Sequence, residues 1–305
     1  MIARAVTIAG RRISDADPCY VIAEIGHNHG GSVVLGQQLI RAAARCGADA
    51  VKFQKRDNAT LYTDTLLKQP YDHEHSYGRT YGAHRAALEW DVEAYQQARA
   101  EAAACHVACF ATAFDERSAD FLMGVGVPAI KIASGGITDE PLLRHVAALQ
   151  VPIILSTGGC EERDIDRAIS WLTAVHTHLA LLHCTAAYPV FDYTELNLRY
   201  ILTLRERYPH LVIGWSGHVS GIAMAMVAYA FGARIIEHHV TLDRASKGTD
   251  HAFSLEPKGL ATLVDDLAKL KLALGDGVKV FYDSERKPIA KMRRTRTEKG
   301  WQITG

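Results

Sequence analysis

Short apolar runs recur along the chain at nearly regular intervals, and longer segments with helical periodicity separate them. Each run is rich in Val, Ile, Leu, Ala or Phe on consecutive positions, which is typical of a strand buried on both faces of a parallel sheet. Such a strand needs helices on its outer face, and the intervening segments can supply them. The eight runs lie at residues 19–26, 50–55, 107–114, 129–135, 151–157, 179–185, 211–216 and 234–241.

The segments between the runs carry apolar residues at helical spacing, and many end at glycine, the usual helix stop. Examples are G-Q-Q-L-I-R-A-A-A-R-C-G at 36–47 and D-V-E-A-Y-Q-Q-A-R-A-E-A-A-A-C at 91–105. Eight successive strand–helix units predict an α/β fold, a single-domain (β/α)8 TIM barrel. A doubly wound open sheet is the alternative, which the lack of G-x-G-x-x-G after the first run disfavours.

The barrel is expected to span residues 19–280, with residues 1–18 as an N-terminal extension and residues 281–305 as a basic C-terminal tail. Solvation is the simplest interpretation of the charges in the tail, and steering of a phosphate is the second. Residues 56–90 interrupt the regular pattern with a polar and aromatic insertion. Loops of this length are often functional, so the insertion is a candidate lid, an oligomer contact or a plain insertion.

The charge balance narrows the range of partners. Lys and Arg number 34, Asp and Glu number 34, and the formal net charge is zero. This balance argues against a binder of nucleic acid or of membrane surfaces. No apolar run reaches the length of a membrane span, and the N-terminal residues are too polar for a secretory signal. The six cysteines lack C-x-x-C spacing, which favours reduced thiols in a cytoplasmic protein over disulfides or a zinc site.

Polar residues stand where the expected strands end, and in a barrel those ends meet at one mouth. Lys52 and Lys131 alternate with apolar neighbours, so their ammonium groups are expected to enter the mouth. Two buried like charges repel and lose hydration, so an anion between them is expected. Thr112, Ser134 and Ser216 add hydroxyl donors. Each residue alone is consistent with the exposed end of a buried strand, but together they predict a phosphate or carboxylate site.

Two imidazoles stand at the ends of successive strands, His218 in G-W-S-G-H and His239 in E-H-H. A lone histidine on an apolar run is more often a hydrogen-bonded core residue than a ligand. A pair from adjacent strands, however, can share one metal with water and substrate oxygens. Such a site suits Mn²⁺, Fe²⁺, Co²⁺ or Zn²⁺ and can polarise a carbonyl. Strand periodicity leaves open whether His239 or His238 faces inward.

The chain resembles the sialic acid synthases, a family that includes the pseudaminic and legionaminic acid synthases and the spore-coat polysaccharide proteins. The resemblance runs in order through most of the chain. It is carried by A-E-I-G-H-N-H-G-G (23–31), G-A-D-A-V-K-F-Q (47–54), K-I-A-S-G (131–135), I-I-L-S-T-G-G (153–159), L-L-H-C-T-A-A-Y-P (181–189), G-W-S-G-H (214–218), I-I-E-H-H-V-T-L-D-R (235–244), G-T-D-H-A-F-S-L-E-P (248–257) and S-E-R-K (284–287).

This resemblance implies a transferase of the EC 2.5.1 type that condenses phosphoenolpyruvate with a free N-acetylmannosamine-like or related aldose. The products would be a nonulosonic 2-keto acid and phosphate, formed by a metal-assisted, aldol-type step that makes a carbon–carbon bond. The resemblance also implies a homodimer and a divalent metal, usually Mn²⁺, with Mg²⁺ or Co²⁺ as alternatives.

Site residues follow from the matched motifs. Positions that hold phosphoenolpyruvate match Lys52, Thr112, Lys131, Ser134 and Ser216. Metal ligands match His218 and His239. Positions facing the sugar or its reacting end match Glu24, Gln54, Tyr188 and Asp250. The expected catalytic residues are Glu24, His239 and Asp250. Glu24 is the first candidate for proton transfer, because burial beside lysines and a metal can tune a carboxyl group.

Four motifs depart from the family pattern. Gly136 and Gly217 stand where acids are usual, and Ala186 stands where Asn or Ser is usual. A-T-A-F at 111–114 replaces S-T-P-F. These departures motivate two alternatives: a related phosphoenolpyruvate-dependent synthase acting on a different aldehyde in specialised sugar or antibiotic biosynthesis, and a catalytically silent sugar-binding homologue.

A further departure concerns the end of the sequence. Typical family members carry a small antifreeze-like domain that supplies an arginine to the partner subunit's site. We expect this domain to be absent here. Arg293, Arg294 and Arg296 are candidates to compensate for it. The family dimer forms through the barrel and this domain, so the expected homodimer would rely on the barrel.

Overall fold

The computed structural model describes residues 4–304. Its first elements are two short strands, β1 (Ala5–Ile8) and β2 (Arg11–Ser14). Eight further strands form a barrel. They are β3 (Tyr20–Gly26), β4 (Ala50–Lys55), β5 (Ala108–Ala113), β6 (Ile130–Ile132), β7 (Ile153–Ser156), β8 (Leu179–Cys184), β9 (Val212–Gly217) and β10 (Ile235–His239).

The barrel is closed and parallel. Each strand pairs with the next along the chain, and β10 pairs with both β9 and β3. Every residue of β3, β8 and β9 is buried, which explains why these strands read as nearly continuous apolar runs. The predicted (β/α)8 barrel is confirmed. The open doubly wound sheet is wrong, because pairing of the last strand with the first leaves no sheet edge.

Helices alternate with the barrel strands. Polar caps set where several helices begin, because the side chains of Ser32, Asp91, Asp115 and Asp139 accept hydrogen bonds from first-turn backbone N–H groups. In chain order the helices are α1 (Val33–Arg45), α2 (Asn58–Leu61), α3 (Asp64–Leu67), α4 (Tyr81–Leu88), α5 (Val92–Ala104), α6 (Glu116–Gly124), α7 (Glu140–Ala148), α8 (Glu162–Thr173), α9 (Tyr200–Arg207), α10 (Ala223–Ala230), α11 (Pro257–Ala273) and α12 (Asp283–Ala290).

The N-terminal hairpin β1–β2 packs at the end of the barrel opposite the predicted mouth. Its residues Ile8 and Ile13 are fully buried. Arg11 pairs with Asp49, which directly precedes β4 and also accepts a hydrogen bond from the backbone N–H of Val21 at 2.8 Å. These contacts attach the hairpin to the start of two barrel strands. The expected boundary at residue 18 stays a prediction.

The insertion at 56–90 contains α2, α3 and α4 and an isolated bridge between Pro70 and Thr80. One carboxylate ties its two ends together. Glu89 accepts from Lys55 Nζ and from the backbone N–H of Arg56, both at 3.1 Å. The insertion is therefore a folded excursion anchored at its base. Its expected role as a lid or an oligomer contact stays a prediction.

Residues 271–304 form a second compact unit. It contains α12 and an antiparallel hairpin of β11 (Arg294–Thr297) and β12 (Gly300–Ile303). The segment expected to be a solvated tail therefore has secondary structure, although its arginines are exposed. None of the helices within residues 4–304 combines the length and the apolar character that crossing a membrane requires.

We predict that Gly36→Ala destabilises the barrel. A Cβ at Gly36 in α1 would lie 2.3 Å from the ring of Trp90, which is buried and donates to Gly31 O at 3.0 Å. Overpacking of this kind costs about 1–3 kcal/mol. Urea denaturation provides the measurement. Gly124→Ala in α6 is the matched control, because a Cβ there has no neighbour within 4 Å in the part of the chain that the structure describes. Equal midpoints for the two variants would contradict the packing assignment.

Candidate active site

A cavity of about 350 Å³ opens at the C-terminal mouth of the barrel. Alternate residues of each strand point inward, and the strand ends open on one face, so side chains distant in sequence meet there. The structure brings all of the sequence-predicted site residues to this cavity. They are Glu24, Lys52, Gln54, Thr112, Lys131, Ser134, Tyr188, Ser216, His218, His239 and Asp250.

The two lysines are buried in the floor of the cavity, each about 3% exposed at the side chain. Lys52 Nζ lies 2.7 Å from a carboxylate oxygen of Glu24 and 2.9 Å from Thr112 Oγ1. Lys131 Nζ lies 2.6 Å from Ser156 Oγ. Both ammonium groups therefore have partners within the protein.

The carboxylate of Glu237 stands between these lysines, where an external anion was expected. Its Oε1 lies 3.7 Å from Lys52 Nζ and 3.9 Å from Lys131 Nζ, and it accepts from Ser216 Oγ at 3.0 Å. Burial alone would raise the pKa of Glu237, but Lys131 and Lys52 lower it to about 2. Glu237 therefore stays ionised, and the protein itself supplies an anion between the lysines.

Glu24 has the opposite electrostatic balance, although it contacts the same lysine. Burial raises the pKa of Glu24 to about 7, because the pairing with Lys52 offsets only part of the desolvation and Glu237 adds repulsion. Gln54 Nε2 donates to its Oε1 at 2.8 Å. Near neutral pH this carboxyl group can exist with or without its proton, which suits general acid–base chemistry.

His218 and His239 face each other at the ends of the neighbouring strands β9 and β10, with ring centroids 5.3 Å apart. His218 Nδ1 lies 3.0 Å from Thr185 O, and the Tyr188 ring packs on it at 4.0 Å. Burial lowers the pKa of His218 to about 3 and that of His239 to about 4. Both imidazoles are therefore neutral, as metal ligation requires.

The donor set around these histidines fits a divalent cation. His239 Nδ1 is buried and has no hydrogen-bond partner among residues 4–304, and a carboxylate oxygen of Asp250 lies 3.7 Å from it. Within residues 4–304, no group of three or more His, Cys, Asp and Glu side chains is already arranged as a complete metal site. Two imidazoles and a nearby carboxylate would leave coordination positions for substrate or water.

Strand alternation also explains which histidine faces the cavity. His239 lines it, whereas His238 is fully buried, with its Nδ1 3.1 Å from His239 O. Residues two apart in a strand share a face, so an inward His239 implies an inward Glu237. That signal was available in the sequence, but Glu237 was not assigned to the site. Arg56 and Arg85 of the insertion also line the cavity and were missed.

The two absent acids do not leave gaps in the cavity wall. A Cβ at Gly217 would lie 2.0 Å from the ring of Trp215, and a Cβ at Gly136 would lie 3.0 Å from Ile132. Trp215 and Ile132 are fully buried core residues. Side chains at both positions would therefore leave the backbone toward the packed core. Ala186 lines a separate cavity beside the mouth rather than the one that holds the lysines.

Paired buried lysines, hydroxyls and neutral imidazoles at the mouth of a (β/α)8 barrel define an enzyme that binds an anionic substrate. Residues 39–279 match the model of the NeuB family. The chain belongs to this family, whose members are phosphoenolpyruvate-dependent condensing synthases of nonulosonic acids, and hence transferases. The family requires a divalent metal.

Individual relatives and solved structures agree with this assignment. The N-acetylneuraminate-9-phosphate synthase of Drosophila melanogaster is 39% identical over 258 residues, covering 84% of this chain and 69% of the relative. The N,N'-diacetyllegionaminic acid synthase of Legionella pneumophila is 36% identical and covers 92% and 80%. The crystal structure of the N-acetylneuraminic acid synthetase from Leptospira borgpetersenii in complex with citrate superposes with a TM-score of 0.82 at 31% identity, covering 94% and 95%.

We predict that Gly217→Asp destabilises the protein by about 1–3 kcal/mol, since the new Cβ must displace a buried indole. Thermal or urea unfolding would measure the loss. Gly135→Asp is the control, because a Cβ at Gly135 meets no atom of the described residues within 4 Å. Adding Trp215→Leu to Gly217→Asp should give less destabilisation than the sum of the single changes. Strict additivity of the two changes would argue against the packing explanation.

Proposed function

We propose that the enzyme condenses phosphoenolpyruvate with an N-acetylmannosamine-like aldose to give a nonulosonic 2-keto acid and phosphate. The convergence of two buried lysines and two facing, neutral histidines in one cavity is the observation that carries the proposal. The lysines suit the anionic donor, and the histidines suit a metal beside the aldehyde of the acceptor.

Phosphoenolpyruvate is assigned to Lys52, Lys131 and the adjacent hydroxyls. Their ammonium groups are oriented before any ligand binds, because Thr112 and Ser156 accept from them at 2.9 and 2.6 Å. Ser134 accepts from the backbone N–H of Gly158 at 3.0 Å and also has a side-chain hydrogen bond with Cys184, and its hydroxyl is a proposed donor to an anionic oxygen. Ser216 lines the same cavity and completes the proposed set, although its single hydroxyl proton is donated to Glu237 at 3.0 Å and would have to leave that carboxylate to reach the ligand.

His218 and His239 are the proposed ligands of the metal, with Mn²⁺ as the proposed ion. When bound, the metal supplies Lewis-acid polarisation of the aldehyde oxygen. A carboxylate oxygen of Asp250 lies 3.7 Å from His239 Nδ1, and Asp250 is assigned to the reacting end of the sugar. Gln54 and Tyr188 are assigned to the sugar. The ring of Tyr188 packs on His218 and remains about half exposed, so it can cover a bound aldose.

Glu24 is the proposed proton-transfer residue. C3 of phosphoenolpyruvate attacks the aldehyde carbon, the carbonyl oxygen takes a proton, and water adds at C2 of the former donor. Cleavage of the C2–O bond then releases phosphate and leaves the 2-keto group. Glu24 in its ionised form accepts the proton of the attacking water, and its contacts with Lys52 and Gln54 hold it in place.

A homodimer in the cytoplasm completes the proposal, and light scattering of the purified protein tests its oligomeric part. The alternative of a different aldehyde acceptor stays open to a product screen by mass spectrometry. The cavity argues against catalytic silence, because its ionisable groups are present and a Cβ added at Gly136 or Gly217 would point toward the core rather than into the cavity. Absence of phosphate release with phosphoenolpyruvate, Mn²⁺ and every aldose of a panel would overturn the proposed function.

We predict a pH dependence that reports on Glu24. Because burial raises the pKa of Glu24 to about 7 and the ionised form is the proposed base, kcat/KM should increase as the pH rises through that value. Glu24→Gln should remove this limb and lower kcat by about 10²- to 10⁴-fold. Glu140→Gln on α7 is the control, since Glu140 lies on the outer helix and contacts Arg144. If kcat/KM of Glu24→Gln still rose with pH through the same value, the proton would belong to another group.

We predict that His218→Ala and His239→Ala each weaken Mn²⁺ binding by more than about 100-fold, since loss of outer-shell partners alone costs about 10- to 100-fold. Electron paramagnetic resonance of free Mn²⁺ measures this directly, without turnover. His145→Ala on α7 is the matched control, because His145 pairs with Asp120 on the outer helix layer. Affinity equal to that of the unchanged protein in both site variants would place the metal elsewhere.

A further inference from the structure

A pair of arginines extends the cavity beyond the groups assigned to the reaction. Arg56 is buried at 7% exposure and lies against the Phe114 ring, 3.6 Å from its centroid. Arg56 Nη2 donates to Gln54 Oε1 at 2.8 Å, and the other end of the same amide donates to Glu24. The Gln54 amide therefore lies between Arg56 and Glu24, and Arg56 is further than Glu24 from the proposed reacting end.

His27 lies between Arg56 and the second arginine, Arg85. Arg56 Nη1 lies 3.0 Å from His27 Nε2, and Arg85 Nη1 lies 3.5 Å from His27 Nδ1. A guanidinium group only donates, and a neutral imidazole has a single acceptor nitrogen. At most one of these two contacts is therefore a hydrogen bond, and the other brings two donors together.

No carboxylate among residues 4–304 forms an ion pair with either guanidinium group. The other partners of these groups are neutral, namely Gln54 for Arg56 and Tyr81 OH for Arg85 at 3.0 Å. The nearby carboxylate of Glu89 is engaged by Lys55 and by the backbone N–H of Arg56. The outer part of the cavity thus holds the positive charges of Arg56 and Arg85. At least one of the two guanidinium N–H groups that face His27 lacks a hydrogen-bond acceptor there.

We propose that Arg56 and Arg85 bind a phosphate ester at the end of the acceptor remote from its aldehyde, so that the enzyme acts on a phosphorylated aldose. This inference rests on the proposed function, because the reacting end is placed at Glu24 and the metal ligands. Two guanidinium groups match the charge of a phosphate dianion and offer several donors to its oxygens. A phosphate oxygen would also supply the acceptor that His27 cannot provide to both arginines.

The test compares N-acetylmannosamine 6-phosphate with N-acetylmannosamine, using phosphoenolpyruvate and Mn²⁺. We expect kcat/KM for the phosphorylated sugar to exceed that for the free sugar by at least about tenfold, since charged hydrogen bonds are strong. Arg85→Gln and Arg56→Gln should each lower that ratio about tenfold or more, and Arg85→Lys should retain part of it. Arg144→Gln on α7 is the control and should leave the ratio unchanged.

Equal or better turnover of the free sugar, or a ratio that both glutamine variants leave unchanged, would overturn the inference. Preference for an aldose carrying a carboxylate instead would overturn the assignment to phosphate. Arg85 is only partly buried, so Arg85→Gln carries the test if Arg56→Gln does not fold. If no sugar is turned over, the proposed function fails, and calorimetry of N-acetylmannosamine 6-phosphate binding to the unchanged and Arg85→Gln proteins still decides whether the phosphate site exists.

Discussion

The buried ion cluster at the barrel mouth is the interaction on which the rest of the site depends. Isolated charges in a protein interior cost several kcal/mol each, roughly, and are tolerated only with partners. Glu237 lies within 4 Å of both Lys52 and Lys131. It comes from the last barrel strand and the lysines from the second and fourth, so the cluster requires a closed barrel. The same side chains that would bind a substrate therefore also depend on the fold being complete.

This internal anion changes how the donor site works. If the lysines faced each other without a carboxylate, their repulsion would push one of them toward neutrality. Burial lowers the pKa of both lysines, and Glu237 opposes that effect; with Glu24 it leaves the pKa of Lys52 raised, whereas the pKa of Lys131 stays lowered. The hydroxyls of Thr112 and Ser156 fix the positions of the two ammonium groups. A phosphate that binds here meets donors that need no rearrangement, which lowers the cost of binding. Part of the attraction is already used by Glu237, so the neighbouring serine and threonine hydroxyls matter for tight binding.

The parts of this molecule that obey strand periodicity could be predicted from sequence, and the parts governed by loops and packing could not. The eight strands, the common mouth and the inward Lys52 and Lys131 follow from apolar runs and alternation. Arg56 and Arg85 follow from neither, because their position depends on how the insertion at 56–90 folds back over the mouth. The reason for glycine at 217 could not be predicted from the sequence either, since only the structure shows Trp215 filling the space that a side chain at 217 would need.

The two carboxylates beside Lys52 have different roles, one structural and one in the proposed proton transfer. Lys52 contacts both Glu24 and Glu237, yet the pKa of Glu24 is raised to about 7 by burial, while Lys131 and Lys52 overcome the effect of burial and lower the pKa of Glu237 to about 2. Glu237 can then stay charged and hold the lysines throughout a reaction cycle. Glu24 is the one whose proton is exchangeable at neutral pH. Pairs of acids whose environments drive their pKa values apart mark acid–base sites. Because acids at 136 and 217 would project toward the core, their absence leaves this division of roles intact.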